Sequence, residues 1–433
     1  KEIRKNPKPV LLEAMTFRVR GHEEASGTKY YPEGIQEEWA IKDPLSNYEM
    51  FLKEEGILTD EIESEYRNEL KEHIQSSFDI AQNEPLITSD EDKEENDVFA
   101  PHIQNVIEAQ GEKKEIRFID AIQQSLNQSM ERYPGLVLMG QDIAEYGGAF
   151  KVTEGLVDLY GKGRVRNTPL CESAIVGAGL GLSIKGMKAM VEMQFADFVT
   201  CGFNQIINNL AKIHWRWGQN ADVVVRMPTG AGTAAGPFHS QSNEAWFFHT
   251  PGLKILYPSN PTDAKGLLNA AIEDPNPVLF FEHKYLYRSL KEEVPEAYYT
   301  TEIGKANVVS TGDTLTIITY GLGVHWAIEE MNNRPEIQAE IIDLRSLVPL
   351  DTETVYTSVK KTGRAIVLHE DCISGGIGGE LTALITEHCF EFLDAPVLRV
   401  GSLNSPVPFA ATIEAIFLPQ DRFTKAVDEL LNY

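Results

Sequence analysis

The sequence predicts an α/β fold in which helices cover a largely parallel sheet, followed by a second, smaller α/β domain. Three observations support this prediction. From Ile116 onwards, short apolar runs alternate with segments of helical periodicity, and strands that alternate with helices form parallel sheets. After the connection KEEVPEAYYT a second series of such runs begins. The length of 433 residues also exceeds that of a single core.

The first part of the chain differs in composition from the rest. Residues 1–83 contain two stretches of helical spacing that begin after Asp43 and Thr59. They hold too little apolar material to fold alone, so we predict a helical tail that packs on something larger. Residues 84–114 include the acidic stretch TSDEDKEENDVF, which predicts a disordered linker.

The apolar runs divide the remainder into two predicted domains. Residues 115–300 contain the predicted strands LVLMGQD, AMVEMQF, DVVVRMP, KILYPS and PVLFFEH. Residues 301–433 contain TLTIITYG, AEIIDLRSL, RAIVLHED and PVLRVGS. We expect each series to form its own sheet.

Composition excludes several classes of function. A formal net charge of −26 argues against nucleic acid or an anionic membrane as the main partner. The longest apolar run, Ala174 to Ile184, is too short to span a bilayer. The four cysteines are scattered without metal-binding spacing, which predicts buried thiols in a reducing compartment. We therefore expect a cytoplasmic protein, and its opening residues resemble the middle of a longer polypeptide.

A single acid, Glu172, stands at the head of the apolar stretch NTPLCESAIVGAGLGLSIKG. An acid is ordinary in the first turn of a helix. Gly177, Gly179 and Gly181 each cost the helix about 1 kcal/mol relative to alanine, which favours close packing over a dinucleotide fingerprint. A buried carboxylate needs a partner, and no basic residue stands beside Glu172, so a ligand could be that partner.

Two histidines lie in loops that could carry chemistry. His239 follows the small-residue loop MPTGAGTAAG and is either a proton carrier near neutral pH or the cap of the next helix. His22 lies beside Arg18 and Arg20, a set that suits either an anionic ligand or a solvated surface loop. We find no diphosphate–magnesium motif in the chain.

Many of these segments, in order, resemble one family. RFIDAIQQSL, MGQDIAEYGGAFKVTEGL, NTPLCESAIVGAGLGLSIKG, EMQFADFV, FHSQSNEAWFFHTPGLKI, EDPNPVLFFEHKYLYR and IDLRSLVPLD are similar to the beta subunit of thiamine-diphosphate-dependent 2-oxo acid dehydrogenases. TFRVRGHEEASGTKYY is similar to the C-terminal part of the family's alpha subunit. The chain thus resembles the end of a fused alpha–beta polypeptide with a transketolase-like fold.

The resemblance implies a role for each candidate residue. Glu172 would hydrogen-bond the pyrimidine ring nitrogen of thiamine diphosphate and so favour deprotonation of the thiazolium carbon. His239 and His22 would assist proton transfer or orient the intermediate. The remaining residues of the implied cofactor pocket are Phe198, Gln194, Leu170 and Asp142.

The resemblance also implies metal ions. Magnesium would be bound mainly by an alpha-type part outside this chain. A monovalent cation, typically potassium, would be held by Ala221, Val223, Val224, Ala271, Asp274 and Asn276, since oxygen-only ligands with one carboxylate suit a hard cation.

The implied activity is oxidative decarboxylation of a 2-oxo acid with transfer of the acyl group to a lipoyl-bearing acyltransferase. The first hypothesis is a branched-chain substrate such as 2-oxoisovalerate, and the first alternative is the decarboxylating component of a pyruvate dehydrogenase. A transketolase-type ketol transferase and a non-catalytic scaffold are the further alternatives. The implied partners are the missing N-terminal alpha-type segment and a second fused chain in an alpha2beta2-like dimer.

Overall fold

The computed structural model describes residues 2–8, 10–23 and 25–433. The chain divides into two compact units, one that ends at Ser89 and one from Asp90 to Tyr433. None of the helices formed by the described residues is both long enough and apolar enough to cross a membrane.

The first unit is helical, as predicted. Both predicted helix starts are capped, because the Asp43 carboxylate accepts the amides of Leu45 and Ser46, and the Thr59 hydroxyl accepts that of Ile62. No described residue of its helices is buried. Its helices are α1 Glu2–Lys5, α2 Ile35–Ala40, α3 Pro44–Glu54 and α4 Asp60–Asn83.

Prediction and structure differ over residues 84–114. The sequence predicts disorder throughout, but helix α5 covers Glu91–Asn96. Beyond it, the backbone of Ala100 both donates to and accepts from the side-chain amide of Asn276, at 2.7 and 3.0 Å. The amide of Ile107 donates to the Thr300 hydroxyl at 2.8 Å. The second half of this segment is ordered because the folded domain provides partners for its backbone.

Two parallel sheets form the second unit, which confirms the predicted α/β class. The larger sheet has the strand order β12-β6-β7-β5-β4-β2-β3 and the smaller one β14-β13-β10-β11-β9. Within each sheet all neighbours are parallel except the edge strands β12 and β9. The strands are β1 Lys113–Arg117, β2 Leu136–Gly140, β3 Val165–Asn167, β4 Lys188–Glu192, β5 Val223–Thr229, β6 Lys254–Leu256, β7 Val278–His283, β8 Lys291–Pro295, β9 Asn307–Ser310, β10 Leu315–Thr319, β11 Ala339–Asp343, β12 Ser346–Val348, β13 Ala365–Cys372 and β14 Leu398–Ser402.

The two sheets are joined more closely than the sequence predicts. Strand β12 follows β11 of the smaller sheet but pairs antiparallel with β6 of the larger one. Arg345 lies between β11 and β12 with φ 56°, and this turn redirects the chain. Each of two large buried apolar clusters contains side chains from both sheets. Strands β1 and β8 form a separate antiparallel pair.

Helices cover the sheets and bury mainly apolar side chains. They are α6 Phe118–Arg132, α7 Leu156–Tyr160, α8 Glu172–Ile184, α9 Ile213–Trp217, α10 Ala245–Phe248, α11 Pro261–Glu273, α12 Leu286–Ser289, α13 Leu322–Asn333, α14 Thr352–Thr362, α15 Gly378–Cys389, α16 Ala411–Phe417 and α17 Gln420–Leu431. Short 3-10 helices at Ala196–Gly202 and Phe390–Phe392 and a π-helical turn at Gln205–Leu210 complete the unit.

Candidate active site

The carboxyl ends of four adjacent strands carry the predicted site residues of the second unit. β3, β2, β4 and β5 are consecutive neighbours in the larger sheet. Asp142 follows β2, Glu172 follows β3, Gln194 follows β4, and the loop that carries His239 follows β5. Ligands of parallel α/β sheets bind in crevices outside these strand ends. The topology thus brings side chains that are distant in sequence to one edge.

Glu172 is the first residue of α8 and is 7% exposed. Its Oε1 accepts a hydrogen bond from the side-chain amide of Gln141 at 2.9 Å. Gln141 is buried and directly follows β2. From the sequence alone we expect a ligand to be the partner of Glu172, but the chain itself provides one hydrogen-bond partner, Gln141. A neutral amide orients the carboxylate without neutralising its charge, so the acid stays available to a ligand.

Phe198 and His239 lie together. Their ring centroids are 5.6 Å apart and the rings are nearly perpendicular, and Phe195 approaches His239 at 4.7 Å in the same manner. The loop is fixed by Gln241, whose backbone and side-chain amides donate to Asp197 at 3.2 and 2.9 Å. His239 therefore stands against an aromatic wall instead of capping a helix.

The other predicted pocket residues are more exposed. Leu170 is 82% exposed, and Gln194 is half-buried. Asp142 is exposed with φ 58°, and its carbonyl accepts the amide of Gly148 at 2.8 Å. The structure places these residues at the same edge as Glu172, and their contact with a cofactor stays a prediction.

His22 belongs to the first unit and is exposed. Its loop is anchored by the Tyr31 hydroxyl, which donates to the carbonyls of Arg18 and Arg20 at 2.7 and 2.6 Å. Gln36 donates to the carbonyl of Val19 at 2.9 Å. The loop is therefore held by side chains of its own unit, and the role of His22 stays a prediction.

Three of the predicted cation ligands, Asp274, Asn276 and Ala221, lie at or beside the turn after α11. Asp274 accepts both amides of Asn276 at 2.9 Å and contacts the Lys254 ammonium at 2.5 Å. The amide of Ala221 donates to the carbonyl of Pro275 at 3.1 Å. Val223 and Val224 lie in β5 and Ala271 in α11. The Asp274 carboxylate thus already has a cationic partner, so a monovalent cation at this turn would depend on backbone carbonyls.

A buried charge cluster beneath this edge was not predicted. Arg226 in β5 is fully buried and contacts Glu192 of β4 and Glu282 of β7, each at 2.6 Å. The Tyr287 hydroxyl also donates to Glu282 at 2.6 Å. Burial raises the pKa of the Glu192 carboxyl. A charged residue inside each of three apolar strand runs was the sequence signal that could have found the cluster.

Lys284 is a second buried charge that sequence reasoning missed. It directly follows β7 and is 7% exposed, and its ammonium lies 5.8 Å from the Phe195 ring centroid. It donates to the carbonyl of Gly230 at 2.5 Å. Burial lowers the pKa of Lys284 to about 8. Its position beside the aromatic wall makes Lys284 a further candidate residue of the site.

Three protein families match successive parts of the chain. The family described as "Dehydrogenase E1 component" matches residues 1–89, "Transketolase, pyrimidine binding domain" matches 114–289, and "Transketolase, C-terminal domain" matches 304–422. The order of these matches is that of an alpha-type region followed by a beta-type region.

Three curated relatives cover most of the chain. The 2-oxoisovalerate dehydrogenase subunit beta of Bacillus subtilis is 45% identical over 73% of this chain and 98% of its own length. The mitochondrial 2-oxoisovalerate dehydrogenase subunit beta 2 of Arabidopsis thaliana is 41% identical over 76% of this chain and 92% of its own length. A chloroplastic pyruvate dehydrogenase E1 component subunit beta-2 from the same plant is 39% identical over 73% of this chain and 79% of its own length.

A solved structure entitled "Split gene transketolase, inactive beta4 tetramer" has the same fold. It superposes with a TM-score of 0.58 at 24% identity and covers 73% of this chain and 98% of its own. At this identity the likeness supports the fold and nothing further.

Proposed function

We propose the function from one premise: the chain belongs to the family of 2-oxo acid dehydrogenase E1 components, with an alpha-type region followed by a beta subunit. The proposed activity is thiamine-diphosphate-dependent oxidative decarboxylation of a branched-chain 2-oxo acid, with transfer of the acyl group to a lipoyl-bearing acyltransferase. The observation that carries it is the buried Glu172, held by Gln141 at the carboxyl edge of the sheet.

The residues at this edge fit the aminopyrimidine half of thiamine diphosphate. A buried carboxylate is costly unless a donor meets it, and Gln141 bonds Oε1 of Glu172. A protonated ring nitrogen is a donor of the required kind. The aromatic wall of Phe195 and Phe198 suits a flat heterocycle. The buried carboxylate and the aromatic wall therefore agree with the cofactor that the family implies.

The residues have separate tasks in this proposal. Bound thiamine diphosphate supplies the nucleophilic carbon and the electron sink for decarboxylation. Glu172 accepts the hydrogen bond of the pyrimidine nitrogen, and Gln141 keeps the carboxylate in one orientation. His239 holds or moves a proton at the edge of the aromatic wall. Phe195 and Phe198 exclude water from that side, which strengthens the carboxylate's hydrogen bond.

Partners and metal ions complete the proposal. A further N-terminal alpha-type segment would bind the diphosphate and magnesium, since the sequence given has no motif for them. His22 would face the site from that region. Potassium would occupy the turn at Asp274 and Asn276. Two fused chains would form an alpha2beta2-like dimer, and the lipoyl arm of the acyltransferase would accept the acyl group.

Glu172→Gln tests the proposed function. The variant keeps the size and the hydrogen bond to Gln141 but loses the charge, so we expect 2-oxo acid decarboxylation to fall by about 100-fold or more. The assay is carbon dioxide release by the complete enzyme with thiamine diphosphate and magnesium. Circular dichroism and the thermal midpoint should stay unchanged.

Asp158→Asn is the matched control, because Asp158 is an exposed carboxylate in α7 of the same domain. It should leave the rate unaltered. Decarboxylation by Glu172→Gln at the rate of the parent enzyme would overturn the proposal and favour a scaffold.

Substrate preference is tested separately with the parent enzyme. We expect kcat/KM for 2-oxoisovalerate to exceed that for pyruvate by about 10-fold or more, because added methyl groups contribute apolar binding energy. The similarity to a pyruvate dehydrogenase beta subunit keeps pyruvate as the second candidate. A higher kcat/KM for pyruvate would select it.

A further inference from the structure

The loop at residues 230–243, which carries His239, has little internal structure to hold it. Gly230, Gly232, Ala234 and Gly236 all have positive φ, between 54° and 92°. Such a run forms neither a helix nor a strand. The backbone of the loop must therefore be satisfied by groups from elsewhere in the protein.

Glu414 of α16 provides two of these contacts. Its side chain belongs to the C-terminal domain and is 4% exposed. Oε1 accepts the amide of Gly232 and Oε2 accepts that of Ala234, each at 3.0 Å. A carboxylate that uses both oxygens on two backbone amides fixes their relative position. Phe409 adds a steric contact, because a Cβ on Gly236 would lie 2.2 Å from its ring.

Glu370 of β13 holds the two ends of the same loop. Its Oε1 accepts the Ala231 amide at 2.6 Å and the Ser242 hydroxyl at 3.1 Å. Its Oε2 lies 2.6 Å from Nε2 of the buried His283. Both carboxylates come from the domain that carries none of the residues assigned to cofactor binding.

On its other side the loop meets the aromatic wall. Gln241 is bound to Asp197, and the side-chain amide of Asn243 donates to the carbonyl of Ala196 at 2.9 Å. The loop is therefore fixed between carboxylates of one domain and the cofactor side of the other, with His239 between them.

We propose that Glu414 is a positioning residue for His239, through which the C-terminal domain sets the geometry of the active site. The role of His239 in this inference rests on the proposed function. Glu414 does not touch the reacting atoms; it acts by holding the backbone that presents the imidazole.

Glu414→Gln is the informative variant, because its NH2 group replaces one of the two oxygens that accept the backbone amides of Gly232 and Ala234. We expect faster hydrogen–deuterium exchange of the backbone amides in 230–243. We also expect kcat to fall by about tenfold, as for loss of one charge-assisted hydrogen bond. KM should change little. Glu429→Gln, on an exposed position of α17, is the control that changes neither.

The same change made in a His239→Ala background separates positioning from general stabilisation. If Glu414 acts through His239, the second substitution should lower kcat by less than about twofold in that background. An equal loss in both backgrounds, or unchanged exchange of the loop in Glu414→Gln, would overturn the inference. If the parent enzyme fails to decarboxylate, the proposed function fails, and the exchange measurement alone still decides whether Glu414 holds the loop.

Discussion

Arg226 is enclosed by charges of opposite sign in the middle of the larger sheet. Neighbouring strands contribute Glu192 and Glu282, so one guanidinium faces two carboxylates away from water. A buried ion pair is weak evidence for stability, but removal of one partner leaves an uncompensated charge. Glu192 also lies two residues before Gln194, which links the cluster to the candidate site.

Arg226→Met should therefore reduce the free energy of unfolding by about 3–5 kcal/mol, since two carboxylates would stay buried without a cation. Urea unfolding followed by fluorescence measures the change. Arg166→Met on the exposed part of β3 is the control. A loss below about 1 kcal/mol would mean that protonation of Glu192 compensates.

The glycines of helix α8 differ in how closely neighbouring residues approach them. A Cβ on Gly179 would lie 3.1 Å from Val191 and 3.3 Å from Val223, whereas Gly181 has no neighbour within 4 Å. The close packing inferred from the sequence therefore holds at Gly179, against strands β4 and β5. The resemblance to a beta subunit also implies that this glycine helix packs at a subunit interface, and for Gly181 that contact stays a prediction.

Paired substitutions in α8 test this difference. Gly179→Ala should lower the free energy of unfolding by about 1–3 kcal/mol through overpacking. Gly181→Ala should raise it by about 0.5–1 kcal/mol in the separate chain, because alanine favours the helix and meets nothing. Equal effects of the two substitutions in thermal unfolding would contradict the packing described.

For the whole molecule, the sequence was informative where strands are buried on both faces. All nine quoted apolar runs contain a strand, because central parallel strands need apolar residues throughout. The polar edge strands β1, β3, β8 and β9 had no such pattern and were missed. The run AEIIDLRSL reads as one strand, but the turn at Arg345 sends its second part to the other sheet.

The sequence likewise predicted only those site residues that a local pattern marks. Glu172 and His239 were found because their residue types are unusual in their surroundings. Gln141, Glu370 and Glu414 were not, because their roles arise from contacts between elements far apart in sequence. No local pattern marks an acid that binds the backbone of a loop about 180 residues away.

The junction of the two α/β domains should make stability depend on pH. Burial, reinforced by the charge of Asp371, raises the pKa of Glu244 to about 8, and burial likewise raises that of Asp371 to about 7. The folded protein then retains protons that the unfolded chain releases above about pH 4. Its stability should fall as the pH rises from about 5 to 8.

Glu244→Gln should flatten this dependence and raise the thermal midpoint at about pH 8, since the amide keeps an acceptor for the Tyr320 hydroxyl without a charge to desolvate. Thermal unfolding across this pH range measures the effect. Glu329→Gln, at an exposed position of α13, should retain the slope of the parent. An unchanged slope in Glu244→Gln would assign the dependence to other groups.

Strand β12 leaves the smaller sheet to complete the edge of the larger one. A hinge motion that separated the two α/β domains would have to break the pairing of β12 with β6. It would also have to separate the apolar clusters that contain side chains from both sheets. We therefore expect the two α/β domains to move together, so that entry and release of small molecules would depend on movements of surface segments.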